Sequence, residues 1–286
     1  MMQSQTILAL VDGSAYSESV CHYAAWMAQR TQSKVKVYHI MGRRNAADSD
    51  DLSGAIVLGA RTQLLDKLSA LDMERSKLAQ EHGRAILEDA KTIIQGDGDI
   101  EVQTRLRQGD LVETIAAKEE TGDVIVVGKR GEAHKLATGH LGSNLERVIR
   151  ASHKPVFVAN RSFTPVKKVL VAFDGGASSL KAVELVATSP LYQGLDVTLA
   201  YVGKPSDKVQ AALDTATQKL QAAGLTTEQQ VLSGDADKAL ADLANNQEYQ
   251  LLVMGAFSHS RLRSLFIGST TMEMIRACKI AIMLVH

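Results

Sequence analysis

The sequence predicts an α/β protein built from two copies of a doubly wound domain, each containing a five-stranded parallel sheet. Two observations lead to this fold class. Short apolar runs alternate with helical periods along the chain, and the pattern of the first half recurs in the second half. A length of 286 residues with 45% hydrophobic side chains is enough for two such domains with buried cores.

Four short strings recur in the same order and define the repeat. Ile7–Ser14 recurs as Val169–Gly176, Gly109-Asp110 as Gly234-Asp235, Val124–Gly128 as Leu251–Gly255, and Gly142-Ser143 as Gly268-Ser269. We therefore expect one domain over residues 1–161 and a second over residues 165–286, joined by a short linker.

Apolar runs of four to eight residues bounded by Gly, Asp or Ser predict the buried strands. In the first copy they lie near 6–11, 34–40, 100–106, 123–128 and 155–159, and in the second near 168–173, 195–202, 226–232, 249–255 and 280–285. Because helices separate them, the strands should be parallel and covered by helices on both faces, with ligands bound outside their carboxyl ends.

The helices are predicted from apolar spacing and from capping residues. Ser17 to Arg30 carries an apolar face, and a long amphipathic segment runs from Leu64 to about Ile94. Asp110 and Asp235 each follow a glycine and precede a helical period, as N-cap residues do.

The first copy carries about 35 extra residues between its first and fourth strands, most of them expected near residues 42–72. This insertion mixes acidic residues with the apolar run Ala55–Leu58. Packing on the long helix is the favoured interpretation, while a lid over the site and a surface for a partner remain alternatives.

Three features follow strand ends in each copy and form the candidate site. They are Asp12-Gly13 with Asp174-Gly175, the loop Gly128–Gly131 with Gly255–Ser258, and the helix starts Gly142-Ser143 and Gly268-Ser269. Glycines allow close approach of a ligand, helix N-termini favour anions, and an acid at the first strand can reach a ribose hydroxyl. Together they predict a mononucleotide pocket, although turn chemistry and ordinary N-caps explain each feature taken alone.

In these motifs the sequence resembles the universal stress proteins, whose nucleotide-binding members carry Gly-x2-Gly-x9-Gly-Ser/Thr after the fourth strand. Gly128, Gly131 and Gly142-Ser143 follow this pattern with one additional residue, and in the second copy Ser258 replaces the second glycine. The resemblance covers both copies. It implies a Rossmann-like fold of the adenine nucleotide alpha hydrolase-like type, bound ATP, ADP or AMP, and a role in the stress response.

The same resemblance implies further contact residues. They are the ends of the second strands, the residues before the first loop glycines, the residues after Gly-Ser and a loop arginine: Ile40, Val202, Val127, Met254, Asn144, Thr270 and Arg130. Lys129 lies in the same loop, and its side chain is expected either to hold phosphates or to lie in solvent. A bound triphosphate would bring Mg²⁺ on its own oxygens.

The resemblance also implies that the last strands of the two copies, 155–159 and 280–285, pair within one chain as in a family dimer. The 32 basic and 32 acidic side chains balance, so we expect neither nucleic acid nor a membrane as a partner, whereas a homodimer is not opposed by charge. Cys21 and Cys278 have no metal-site spacing, which indicates a reducing cytoplasm and no cysteine metal site.

Three functions compete at this level. The first is a nucleotide-binding stress or signalling module with little turnover and no assigned catalytic or metal-ligating residue. The second is a nucleotide-free module for protein association. The third, an ATP-pyrophosphatase-type enzyme, is disfavoured because the Ser-Gly-Gly-x-Asp-Ser motif of that group is incomplete at Asp174–Ser179.

Overall fold

The computed structural model describes residues 6–42, 58–117, 122–131, 143–246, 249–256 and 269–286. The strands are β1 Thr6–Leu10, β2 Lys34–Met41, β3 Val102–Gln108, β4 Val124–Gly128, β5 Val156–Ala159, β6 Lys168–Ala172, β7 Asp196–Val202, β8 Thr226–Leu232, β9 Leu251–Gly255 and β10 Ala281–Val285. The helices are α1 Ser17–Thr31, α2 Leu58–Asp97, α3 Leu111–Ala116, α4 Ser143–Ala151, α5 Ala177–Thr188, α6 Asp207–Ala222, α7 Ala236–Asn246 and α8 Ser269–Ala277.

All ten strands join one sheet in the order β3-β2-β1-β4-β5-β10-β9-β6-β7-β8. Within each half the strands are parallel, and β5 pairs with β10 antiparallel, with Met283 opposite Phe157. The predicted pairing of the last strands within one chain is therefore confirmed. Because this junction is antiparallel, the carboxyl ends of the strands in the two halves lie at opposite edges of the sheet.

Helices cover both faces of the sheet, as expected for buried parallel strands. Along β1, Ile7 and Ala9 belong to the core beneath α1, α2, α5 and α6, while Leu8 between them belongs to the core beneath α3, α4, α7 and α8. Successive strand residues point to opposite faces, so a strand that is apolar throughout contributes to both cores.

The helix starts follow from local hydrogen bonding. Asp110 caps α3: its side chain accepts hydrogen bonds from the backbone N–H groups of Val112 at 2.8 Å and Glu113 at 3.2 Å. The Arg147 guanidinium on α4 also contacts it and holds the pKa of the Asp110 carboxyl below its usual range. The predicted N-cap is confirmed, and α7 likewise begins directly after Asp235.

Helix α2 is longer than the apolar period predicted. It begins at Leu58 and ends at Asp97, so residues 58–72 of the expected insertion form its first turns. Residues 43–57 of the insertion, including Ala55–Val57, lie outside the described residues. The corresponding helix of the second half, α6, has 16 residues against 40 in α2, so a longer helix accounts for much of the extra length.

Candidate functional site

A cavity of about 350 Å³ lies at the carboxyl ends of β1, β2 and β4 in the first half. It is lined by Leu10, Val11, Asp12, Ser14, Tyr16, Ser17, Val20, Tyr38, His39, Ile40, Met41, Gly42, Leu111, Val127, Gly128, Arg130, Gly131, Asn144 and Leu145. Its position outside the strand ends is the one predicted for a doubly wound sheet.

Asp12 shapes the floor of the cavity through a tight turn. Its Oδ1 accepts hydrogen bonds from the Ser14 N–H at 3.0 Å and the Ser17 hydroxyl at 3.3 Å. Gly13 has φ of 78°, a left-handed conformation that glycine adopts without strain. The turn interpretation of Asp12 is therefore correct, and the same hydrogen bonds fix one carboxylate oxygen at the edge of the cavity.

The second half repeats this turn. Asp174 Oδ1 accepts from the Gly176 N–H at 2.8 Å and from the Ser179 hydroxyl at 2.7 Å, and Gly175 has φ of 75°. The two Asp-Gly turns thus share their hydrogen-bonding scheme as well as their sequence, although Gly176 stands where the first half has Ser14.

The loop after β4 lies directly against this turn. A Cβ added at Gly131 would come within 2.7 Å of Asp12 Oδ2, so any side chain at this position would push the carboxylate out of its place. The Ser14 hydroxyl donates to the Arg130 carbonyl oxygen at 3.4 Å. Gly131 therefore lets the loop lie against the Asp12 carboxylate. The sequence predicted only that glycines in this loop would allow a ligand to approach closely.

The first loop glycine has a different role from the predicted one. A Cβ at Gly128 would meet Tyr16 Cβ at 2.7 Å, and one at Gly255 would meet Ser178 Cβ at 2.5 Å. In each half, a residue at or just before the first helix packs against the end of the strand at this position. Glycine is therefore needed for packing at both positions, independently of any ligand in the cavity. Gly13 is not among the lining residues, and a Cβ there would approach Ile86 of α2.

Both apolar side chains and polar groups line the cavity. Ile40 and Val127 are partly buried at the ends of β2 and β4, as the resemblance implied. Helix α4 opens at Ser143, and Asn144 in its first turn is exposed and lines the cavity, as does the exposed Arg130. The positive end of the α4 dipole therefore lies next to the cavity, where it favours an anion.

Sequence reasoning missed several of the lining residues, among them His39 and Tyr16. His39 lies on β2 beside Ile40, and its Nδ1 donates to the Val11 carbonyl oxygen at 2.9 Å, which leaves Nε2 as an acceptor in the neutral ring. Tyr16 precedes α1 and packs on Gly128. The position of each residue close to a strand end was the one feature of the sequence that could have predicted its place in the cavity, because neither residue belongs to a motif.

Lys129 lies in this loop and its amine points away from the cavity. The amine donates to the carbonyl oxygens of Arg276 at 3.1 Å and Cys278 at 2.7 Å, at the end of α8 in the other half. Burial lowers its pKa, and the charge of Arg130 lowers it further. The predictions of a phosphate clamp and of a solvated side chain were both wrong, because the β5–β10 junction brings the end of α8 within reach.

The predicted residues of the second half are only partly described. Met254 is 6% exposed in the core beneath α7 and α8, and Val202 is partly buried at the end of β7. Thr270 follows Ser269 at the start of α8, and the next residue, Thr271, donates from its hydroxyl to the Ala256 carbonyl oxygen at 3.0 Å. Ser258 and Gly268, with Gly142 of the first half, lie outside the described residues.

Within the described ranges, no helix is both long and apolar enough to cross a membrane. In the same ranges, no three side chains of the types that bind metals gather at one point. The structure brings seven predicted residues of the first half to one cavity: Asp12, Ile40, Val127, Gly128, Arg130, Gly131 and Asn144.

Comparison with known proteins agrees with this architecture. The sequence profile of the universal stress protein family matches residues 3–160 and 204–286. The universal stress protein Slr1230 from Synechocystis sp. is 37% identical over 283 residues, which span 98% of this chain and 99% of that protein. The doubled α/β fold is therefore that of two tandem universal stress protein domains, and the chain belongs to the universal stress protein family.

Solved structures show the same fold along the full length. A universal stress protein from Archaeoglobus fulgidus aligns with a TM-score of 0.73 at 21% identity, covering 99% of both chains. One from Pseudomonas aeruginosa, described as putative, aligns with a TM-score of 0.62 at 17% identity, covering 99% of this chain and 93% of its own. The region between the two profile matches contains β6, α5 and β7, which repeat β1, α1 and β2.

Proposed function

We propose that the chain is an adenine-nucleotide-binding module of the stress response, with its principal site in the cavity of the first half. The observation that carries this proposal is the meeting of four features at one cavity. They are an apolar wall, a fixed carboxylate, a loop held close by Gly131 and the N-terminus of α4. No single feature indicates a nucleotide, but their arrangement fits its base, sugar and phosphates in that order.

The adenine ring would lie against Ile40 and Val127, where burial of its faces is favourable. The ribose hydroxyls would face Asp12, whose orientation is set by its hydrogen bonds with Ser14 and Ser17 before any ligand arrives. The phosphates would lie over the first turn of α4, within reach of exposed Arg130. A triphosphate would carry Mg²⁺ largely on its own oxygens.

Binding with little turnover is the form of activity that these residues support. Asp12 Oδ1 already accepts two hydrogen bonds that hold the turn, so this oxygen is used for structure and positioning. The module would then bind and release nucleotide without consuming it. A cytoplasmic location, where adenine nucleotides are abundant, belongs to the same proposal.

The test begins with freshly purified protein, which is denatured so that released nucleotide can be identified by chromatography and mass spectrometry. Affinity for AMP, ADP and ATP with Mg²⁺ is then measured by calorimetry. Ile40→Glu should weaken binding at least tenfold because it places a charge on the apolar wall. Val202→Glu changes the equivalent residue of the second half and is the matched control.

Nucleotide lost in Ile40→Glu and retained in Val202→Glu supports the site in the first half. The opposite result would move the site to the second half. If the protein releases no nucleotide and produces no heat with any of the three, the nucleotide proposal is wrong and an association module remains.

A further inference from the structure

Helix α2 consists of two parts with opposite environments. From Gly83 onward it packs on the protein, with Ile86, Leu87, Ala90 and Ile94 buried. Before Gly83 nearly every described side chain is exposed. Residues 58–82 thus form a helical segment that extends about 37 Å at 1.5 Å per residue.

The exposed segment is not a polar helix surface. Leu65, Leu71 and Leu78 are 55%, 56% and 57% exposed, and Leu68 and Met73 are 42% and 66% exposed. These five residues are most of the large hydrophobic side chains that the described part of the chain exposes. An exposed apolar surface of this kind typically marks an interface.

Four of the leucines have the spacing of a coiled coil, while Leu65 and Met73 lie outside that pattern. Leu64, Leu68, Leu71 and Leu78 follow each other at steps of four, three and seven residues, so they occupy a and d positions of a heptad repeat. In this register Leu64, Leu71 and Leu78 are d residues and Leu68 is an a residue, with Arg75 at the next a position. Such a narrow seam is suited to one partner helix rather than to a broad core.

The charges beside the seam indicate a protein partner. The exposed segment carries both acidic and basic residues, with Lys67 and Glu74 at g positions beside the seam, whereas a helix that binds anionic membranes carries mainly basic residues on its polar face. We propose that the seam of α2 is a docking surface for a second copy of this chain, and that the two α2 segments pair antiparallel.

Three features favour the antiparallel arrangement. In a parallel pair, Arg75 would lie against Arg75 of the partner subunit in the core of the seam. In each subunit, α2 joins the folded body of the protein at Gly83. In a parallel pair the two bodies would therefore lie side by side at the same end of the coiled coil and would clash. With Leu68 opposite Leu71 of the partner subunit, the bodies lie at opposite ends, and Lys67 at one g position faces Glu74 of the partner subunit at another.

The association is measured on the full chain by sedimentation velocity over a range of concentrations. The wild type is expected to be a dimer, and Leu68→Glu or Leu71→Glu should raise its dissociation constant at least a hundredfold. Gln80→Glu adds the same charge on the exposed segment away from the seam and should leave the constant within twofold. Far-UV circular dichroism checks that the body remains folded.

A wild type that stays monomeric at hundreds of micromolar overturns the proposal. So do seam variants that dimerise as well as the wild type. Seam variants that lose thermal stability with no change in mass would show instead that the same chain covers the seam, which also overturns it.

Charge reversal tests the orientation. Lys67→Glu and Glu74→Lys should each weaken the dimer about tenfold or more, and the double variant should restore it, because the antiparallel pair exchanges these charges. In a parallel coiled coil Lys67 would face Asp72 of the partner subunit, so the double variant would remain weak, and that result would refute the antiparallel dimer.

Discussion

Replacing Lys129 by methionine should loosen the contact between the two halves of the protein. The wild-type amine donates hydrogen bonds to the carbonyl oxygens of Arg276, in the last turn of α8, and of Cys278, directly after the helix. Those carbonyls have no partner further along the helix, so the amine fills the role of a C-terminal cap supplied from the other half. Methionine keeps a similar apolar stem and removes only the donor.

The expected loss follows from the two hydrogen bonds. A hydrogen bond from a charged donor contributes about 1.5–3 kcal/mol, and the cost of keeping the ammonium group partly buried offsets part of this gain, so Lys129→Met should lower the free energy of unfolding by about 1–3 kcal/mol. The ratio of folded to unfolded protein then falls roughly five- to 150-fold. Ala256 holds the equivalent position in the second half and has no side chain that could donate such hydrogen bonds to the first half. The second half therefore cannot compensate for the loss of the Lys129 contact.

Urea unfolding monitored by circular dichroism measures the global effect, with Lys208→Met as a control that removes an exposed lysine on α6. Hydrogen exchange by mass spectrometry measures the local one and should show faster exchange in the last turn of α8, where the Cys278 N–H donates to the Met274 carbonyl oxygen. If Lys129→Met unfolds at the same midpoint as Lys208→Met and α8 exchanges at the wild-type rate, the contact does not stabilise the junction.

Three further predictions concern single groups. Burial raises the pKa of Cys21 to about 12 and of Cys278 to about 11, so iodoacetamide at pH 8 should alkylate both thiols only after unfolding; labelling of the native protein would contradict this. Arg147 lowers the pKa of Asp110, so the contribution of this carboxylate to stability is present above its unfolded-state pKa and is lost as the pH falls through its folded-state pKa. The urea midpoint of unfolding should therefore fall more between pH 5 and pH 2 in the wild type than in Asp110→Asn, and an equal fall in both proteins would refute this. Gly255→Ala would place a Cβ 2.5 Å from a side chain in the first turn of α5, so its thermal melting temperature should fall, with a cost of about 1–3 kcal/mol, and an unchanged melt would show that the backbone can yield there.

Much of the fold is readable from local sequence. The third strand was predicted at 100–106 and lies at Val102–Gln108, and the bounds of the other strands lie within two residues of the predicted ones. Strands that are buried on both faces have an apolar signature that does not depend on what covers them. The cap at Asp110 and the turn at Asp12 were also predictable, because each is a hydrogen bond between residues less than six positions apart.

The candidate site was predictable as a set of strand ends and not as a set of roles. Its residues meet because parallel strands bring their carboxyl ends to one edge of the sheet, which the repeat and the βα alternation imply. Whether a glycine faces a ligand or a neighbouring helix depends on packing: Gly131 faces Asp12, whereas Gly128 faces Tyr16. His39 lines the cavity, although it belongs to no sequence motif that would have predicted this.

The sequence by itself determined the doubled α/β architecture, the order of its elements and the edge of the sheet at which the site lies, since these depend on periodicity, capping and repetition along the chain. Tertiary structure alone decided which residues the long side chains contact and which apolar surfaces remain exposed to solvent. Lys129 contacts α8 because β5 and β10 join the halves antiparallel, and the leucines of α2 are exposed because the helix extends beyond the body that covers its other half. Both outcomes depend on contacts between residues far apart in the chain, which no local pattern records.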